Sequence, residues 1–379
     1  MIRMLHFVQD EKFTTMTISY FDNRTDIVSK YVYFRRDKRR PLVYIQNNER
    51  ISIIDNYKEI ISEFQSRDYD VLYLHSIYIT FWPLLRYVPQ NKIIIWWMWG
   101  YEIYLPNSYG QRHGFVNMET ILPVTKSVRK QITSKKDRIK QSVKGLLVDM
   151  VWPYYKKKIV GRIDYFYPVI HSEYEIMKQV KGFHAKEFYL PHLRWPNLDT
   201  EIVVEGEGDI QIGNSASQWG NHLDVWEHIK KYVPVNSRIV LPLSYGDKKY
   251  ATYIQNAIKR EHENIEIMND FLPFEEYFNV IKRCSFFVHG AIRQHAMGNI
   301  YDAIMSGRKV FLYKDSLDYK HLHERGYVVF TIEDIDDSSF RIPLTLAEFR
   351  QNLNARLCEM KHRTEIGNRI FREIEEIVQ

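Results

Sequence analysis

An arginine and a glutamine, Arg293 and Gln294, sit in a small-residue loop that runs from Gly290 to Gly298. An apolar run ending at Val288 precedes the loop; a helical segment opens at Gly298 and Asn299 and stops at Gly307. A helix start beside such a loop offers free backbone N–H groups and the positive end of a dipole. With a guanidinium close by, the matching occupant is a diphosphate. The competing reading is an ordinary strand–helix–strand crossover with a solvated arginine. A second loop repeats the theme. Gly213, Asn214 and Ser215 follow the apolar run Asp209 to Ile212, where glycine permits a tight turn and side-chain donors can reach phosphate. Strand–glycine turns are common, so this loop gains weight only beside the first.

Further groups fit a nucleotide. Asp302 can accept hydrogen bonds from ribose hydroxyls, or can simply complement the helix dipole. Tyr245 and the stretch from Asn269 to Glu276 can frame a base, although Leu272 and Phe274 read better as core. His75 and Glu102 stand after two runs in the first half and can take a proton from an acceptor hydroxyl. For His75 the alternative is a hydrogen-bonded packing residue; for Glu102 it is pairing with a cation.

Apolar runs alternate with amphipathic segments along the whole chain, as in α/β folds with parallel sheets. The runs are Met4 to Val8, Val71 to Leu74, Ile93 to Met98, Tyr165 to Ile170 and Glu187 to Leu190, then six more between Asp209 and Phe330. A closing helix is expected from about Leu346 to Ile377. The polar stretch Pro196 to Gly208 marks the expected boundary, giving domains 1–196 and 197–379. Two such domains place a central cleft between them, and ligands of open α/β sheets collect beyond the strand ends.

A length of 379 residues suits two cores, and 45% hydrophobic residues exclude general disorder. Cys284 and Cys358 lie far apart with no metal-ligand spacing, which fits a reducing cytoplasm. No long apolar block opens the chain, and the strongest apolar run, Ile93 to Trp99, is far too short to span a bilayer. The net charge of +6 is uneven: Lys126 to Arg162 holds 12 Lys or Arg against two Asp. Val128, Ile132, Ile139, Val143, Leu146, Leu147 and Met150 run through it at helical spacing, followed by Trp152, Tyr154 and Tyr155. This reads as a basic amphipathic helix for an anionic membrane surface, with Trp152 as an interfacial anchor. A solvated basic face is the alternative; nucleic acid is disfavoured because no binding module accompanies the charge.

Taken in order, these pieces resemble the TDP-N-acetylfucosamine:lipid II N-acetylfucosaminyltransferases of enterobacterial common antigen assembly. The resemblance rests on Leu74, His75, Phe81 and Trp82, on Trp97 to Tyr104, and on Ile212 to Ser215 with Asn221 and His222. It continues through Pro242 to Gly246, Phe274 to Tyr277, and Arg293, Gln294 and Gly298, spanning about residues 70 to 315. The basic segment 126–144 departs from that pattern. The resemblance implies a GT-B fold, a TDP-linked amino-deoxy sugar donor, and a polyprenyl-diphosphate-linked saccharide acceptor at the inner face of a bacterial membrane. It also implies no metal or other cofactor, since helix ends and basic side chains can neutralise the leaving diphosphate. Donor contacts would fall to Gly213, Asn214, Ser215, Tyr245, Arg293, Gln294, Gly298, Asn299 and Asp302. Glu102 or His75 would be the base. A nucleotide-sugar epimerase or hydrolase on the same architecture, or a non-catalytic basic binding module, are the other readings.

Overall fold

The computed structural model describes residues 1–11, 13–39, 41–76, 81–100, 102–104, 115–116, 118–190, 208–270 and 272–379. The expected boundary stretch therefore lies, apart from Gly208, outside the described residues, as does the side chain of Trp152.

In chain order the elements are β1 (Ile2–Phe7), α1 (Phe13–Asp22), β2 (Ile27–Phe34), β3 (Ile51–Ile54), α2 (Tyr57–Gln65), β4 (Val71–His75) and β5 (Ile93–Trp97). Next come α3 (Pro123–Ile132), α4 (Lys135–Val160), β6 (Tyr165–Tyr167), α5 (His171–Lys178) and β7 (Lys186–Glu187). The second half holds β8 (Asp209–Ile212), α6 (His222–Ile229), β9 (Ile239–Pro242), α7 (Lys248–Lys259), β10 (Ile265–Met268), α8 (Phe274–Ile281) and β11 (Cys284–His289). It ends with α9 (Met297–Met305), β12 (Lys309–Leu312), α10 (Leu317–Glu324), β13 (Phe330–Thr331) and α11 (Leu346–Val378).

Two compact units emerge: residues 1–117, 145–194 and 360–379 form one, residues 118–144 and 195–359 the other. A single joint near residue 196 was expected, but the chain crosses more often, and packing explains why. The α3 backbone N–H groups of Val124 and Thr125 donate to Asp224, and Val128 is buried among Ile210, Trp226 and Ile254 of the second unit. At the other end, Ile370, Phe371 and Ile374 of α11 lie in the first core with Ile2, Tyr73 and Phe188.

The first unit carries a seven-stranded sheet ordered β3-β2-β1-β4-β5-β6-β7. The second carries six strands ordered β10-β9-β8-β11-β12-β13. Among the described residues every strand pair is parallel. Central strands such as β4, β5 and β11 are buried at every residue, as expected of parallel sheets covered on both faces. In the second sheet the chain builds outwards from β8 one way and from β11 the other. The carboxyl ends of these two neighbours form the switch point where such sheets hold ligands.

Candidate active site

The second unit's switch point is where the two predicted loops meet. Ile212 pairs with Val288, so Gly213 and Gly290 leave adjacent strands on the same edge. Gly213 turns with φ +68°, and its N–H donates to the Val288 carbonyl at 2.9 Å. A Cβ at Gly213 would sit 2.2 Å from Nε2 of His222, so the turn closes directly over that ring. Asn214 donates from Nδ2 to the Tyr245 hydroxyl at 2.9 Å, which joins two of the predicted contacts. Asn214 Oδ1 and Ser215 Oγ are buried and have no hydrogen-bond partner. Tyr245 itself is 55% exposed, which suits a ring offered to a ligand.

Across the switch, Asn221 holds the second loop in place. It occupies the left-handed region, φ 46°, and its side chain is fully buried. Nδ2 donates to the carbonyls of Gly290, Thr120 and Trp219, and Oδ1 accepts from the Leu122 N–H. Arg293 is buried, with its guanidinium carbon 5.0 Å from the centre of the Trp219 ring and Nη1 donating to the Gln294 carbonyl. The His295 ring is nearly parallel to that of His289, with ring centres 5.3 Å apart, and its Nδ1 is 3.2 Å from His289 Nε2. Burial pushes His289 down to about 3 and His222 to about 4, and lowers His295 too; the Arg293 charge adds to the effect at His289 and His295.

Helix α9 starts one residue earlier than its spacing suggested. Ala296 caps it from a left-handed conformation without a side-chain bond, and the Ile300 N–H is the first to reach back, to Ala296. The N–H groups of Met297, Gly298 and Asn299 therefore have no intrahelical acceptor. Asn299 accepts from the Tyr277 hydroxyl at 3.2 Å. Asp302 falls in the second turn, not the first, which removes the dipole-complement reading and leaves its carboxylate half-buried on α9.

In the first unit the two base candidates sit differently from expectation. His75 is the last residue of β4, fully buried, with Nε2 3.0 Å from His6 Nδ1, and burial pushes it down to about 3. Glu102 is also buried: Oε1 accepts from Trp96 Nε1 at 3.2 Å and Oε2 from the Trp99 N–H at 2.8 Å. Both were expected on a rim, and both instead tie the core together. His75 ends a strand whose last side chain lies inside the sheet layers, whereas Glu102 stands beyond β5 and is drawn inwards by its bonds to Trp96 and Trp99; spacing alone reveals neither.

Several residues at the switch escaped the reading of single residues. His289, His295, Trp219 and Arg308 carry no spacing signal, while Asn221 and His222 entered only through the resemblance. Arg308 is buried and donates to Gln211 Oε1 at 2.7 Å beneath the site. A separate cavity of about 800 Å³ lies in the same unit between Lys126, Lys130, Ile292, Glu119, Asp315 and Glu333. Its three carboxylates make it a poor match for a diphosphate, and neither Gly213 nor Arg293 lines it.

Residues 162–344 match the family described as 4-alpha-L-fucosyltransferase, glycosyl transferase group 56. That span contains every residue of the switch-point site and neither Glu102 nor His75. Among solved structures, HepE from Anabaena, crystallised with UDP and glucose, superposes with a TM-score of 0.59 at 11% identity, covering 99% of this chain and 100% of that one. AviGT4, a glycosyltransferase of avilamycin A biosynthesis, gives 0.51 at 10% identity, covering 99% and 97%. A putative UDP-N-acetylglucosamine 2-epimerase from Listeria monocytogenes gives 0.50 at 12% identity, covering 98% and 95%. At such identities these likenesses establish the architecture. The chain is thus a glycosyltransferase with two Rossmann-like sheets of the GT-B class, similar over residues 162–344 to glycosyl transferase group 56.

Proposed function

We propose that the protein moves a 4-acetamido-4,6-dideoxyhexose from a TDP-linked donor to a polyprenyl-diphosphate-linked saccharide, in bacterial surface polysaccharide synthesis. The observation that carries the donor half is the convergence of the Gly213 turn and the Arg293 loop on one switch point, with α9 opening beyond it. The fucosyl sugar in the matched family's description is itself a 6-deoxyhexose, which supports the sugar class. As the bond from the sugar to the β-phosphate breaks, the oxygen keeps the electron pair and gains negative charge. Arg293 and the open α9 N–H groups meet that charge, so the reaction has no need of a metal. Asp302 addresses the ribose, Tyr245 stacks on the base, and Gly213, Asn214, Ser215, Gln294, Gly298 and Asn299 surround the phosphates. The lipid-linked acceptor is assigned to the first unit; the observed burial of Glu102 and His75 leaves the base role unassigned.

The membrane half rests on α4. Ile139, Val143, Leu146, Leu147, Met150 and Tyr154 are all exposed, Met150 at 79%. At about 3.6 residues per turn these positions fall within roughly 100° of helix surface, one continuous apolar stripe. Lys135, Lys136, Arg138 and Lys140 at one end and Lys157 and Lys158 at the other are exposed or nearly so. An apolar stripe framed by cations complements an anionic lipid surface, with the protein held on the cytoplasmic face. Among the described residues no helix is long and apolar enough to cross a membrane.

A thermal-shift panel of TDP, UDP, GDP and ADP tests class and nucleotide together. TDP is expected to stabilise most; stabilisation by none of them defeats the proposal. Turnover of the TDP-sugar without any acceptor would replace transfer with epimerase or hydrolase chemistry. A salt-dependent gel shift without nucleotide stabilisation would favour a nucleic-acid module.

A further inference from the structure

His222 takes no part in the scheme above, yet its position is demanding. The ring is 1% exposed, and neither Nδ1 nor Nε2 has a hydrogen-bond partner. A neutral imidazole presents one donor and one acceptor, and buried polar atoms without partners are rare enough to need a reason. Two glycines make room for it: a Cβ at Gly213 would fall 2.2 Å from Nε2, and one at Gly220 would fall 2.7 Å from Cε1. Two neighbours on the same turn, Asn214 Oδ1 and Ser215 Oγ, are likewise buried and unsatisfied. These three side chains share the carboxyl edge of β8, at the switch point.

We propose that His222 is a donor-binding residue: its imidazole hydrogen-bonds a phosphate oxygen of the bound nucleotide sugar and takes a proton from solvent on binding. This rests on the donor-site reading above and extends it to a residue outside that contact set. The surroundings fit. From α7 the edge of Tyr250 meets the ring, with centres 5.9 Å apart. From β11 and its loop, His289, His295 and Arg293 act on the same cluster, neutral or positive. Asp224, on the ring's own helix, is engaged by the N–H groups of Val124 and Thr125. Burial alone holds His222 neutral, down to about 4. A diphosphate brings opposite charge to the ring and raises it, so binding tightens as pH falls towards the free-state value. Among the described residues no group of three or more His, Cys, Asp or Glu is placed to hold a metal ion.

The experiment is calorimetric titration of the full chain with TDP-glucose, whose diphosphate diester keeps its charge over the range used. For the native protein, affinity is expected to be about three- to tenfold higher near pH 6 than near pH 7.5. Heats in buffers of different ionisation enthalpy should report proton uptake. His222→Asn and His222→Phe, each checked by its melting curve, should bind about tenfold or more weakly and with a flatter pH dependence. Variants that keep the native affinity and slope overturn the inference while leaving the donor site intact. Absence of proton uptake in the native protein overturns it even if neither variant folds. Failure of the native protein to bind TDP-glucose, TDP or UDP removes the donor-site reading, and this inference with it.

Discussion

At Gly213 two constraints coincide, a left-handed φ of +68° and a histidine ring where a Cβ would go. Gly213→Ala must either shift the turn or displace His222. We expect a loss of about 1–3 kcal/mol in urea denaturation and the disappearance of nucleotide-induced thermal stabilisation. Arg293 makes a different prediction, because the proposed function gives its guanidinium to the leaving group. Arg293→Ala should lower kcat/KM by about a hundredfold or more, with a far smaller effect on folding stability. Unchanged turnover would take Arg293 out of the mechanism. Arg293 was legible in the sequence because arginine is an unusual choice in a small-residue loop; strand–glycine turns are common, so Gly213 was legible only beside it. His222 was not, since a histidine at the start of an amphipathic helix looks the same whether its ring points at solvent or under a turn. Only the close approach of the ring to Gly213 and Gly220 distinguishes the two.

Elements were legible where their pattern was strong. The central strands β4, β5 and β11 are mostly apolar runs, and α11 ends within a residue of its expected close. Strands β2 and β3 were missed: β2 mixes Ser29 and Lys30 among its apolar residues and is only partly buried, while β3 is a short edge strand. The basic segment was read as one helix, but it breaks at Ser134, whose hydroxyl accepts the Asp137 N–H and starts α4 afresh. The break separates functions: Val128 on α3 is core, whereas the stripe on α4 is exposed. Because Leu146 and Met150 are 65% and 79% exposed, Leu146→Glu with Met150→Glu should change stability by no more than about 0.5 kcal/mol. Co-sedimentation with anionic vesicles should nevertheless fall severalfold, and rising salt should weaken the native interaction. Equal sedimentation of the native protein with neutral and anionic vesicles would sink the lipid assignment.

For the whole molecule, composition and strand spacing announced two parallel-sheet units but not their interleaving. Nothing in the spacing of α11 tells that its early turns belong to one unit and that Ile370, Phe371 and Ile374 pack in the other. Shared composition also hid a property that only burial exposes: His6, His75, His222, His289 and His295 are all lowered, burial being the largest cause in each. Burial takes His75 and His289 down to about 3 and His222 down to about 4. In the unfolded chain each returns to about 6.5. Between those limits the unfolded state binds more protons, so acid favours unfolding. The stability these rings contribute is fully present above about pH 6.5 and is lost progressively as pH falls towards the folded values. Each histidine changes stability by at most about 1.4 kcal/mol per pH unit within its window, and five acting together make the decline steep. Urea midpoints should therefore be nearly level from about pH 8 to pH 7 and drop sharply below about pH 6. Saturating TDP-glucose should offset part of the drop, because a diphosphate favours the protonated form of the donor-side histidines while leaving His6 and His75 unaided. A level stability profile from about pH 7 to pH 5 would mean that the rings already meet solvent, and the buried donor-side cluster would have to be abandoned.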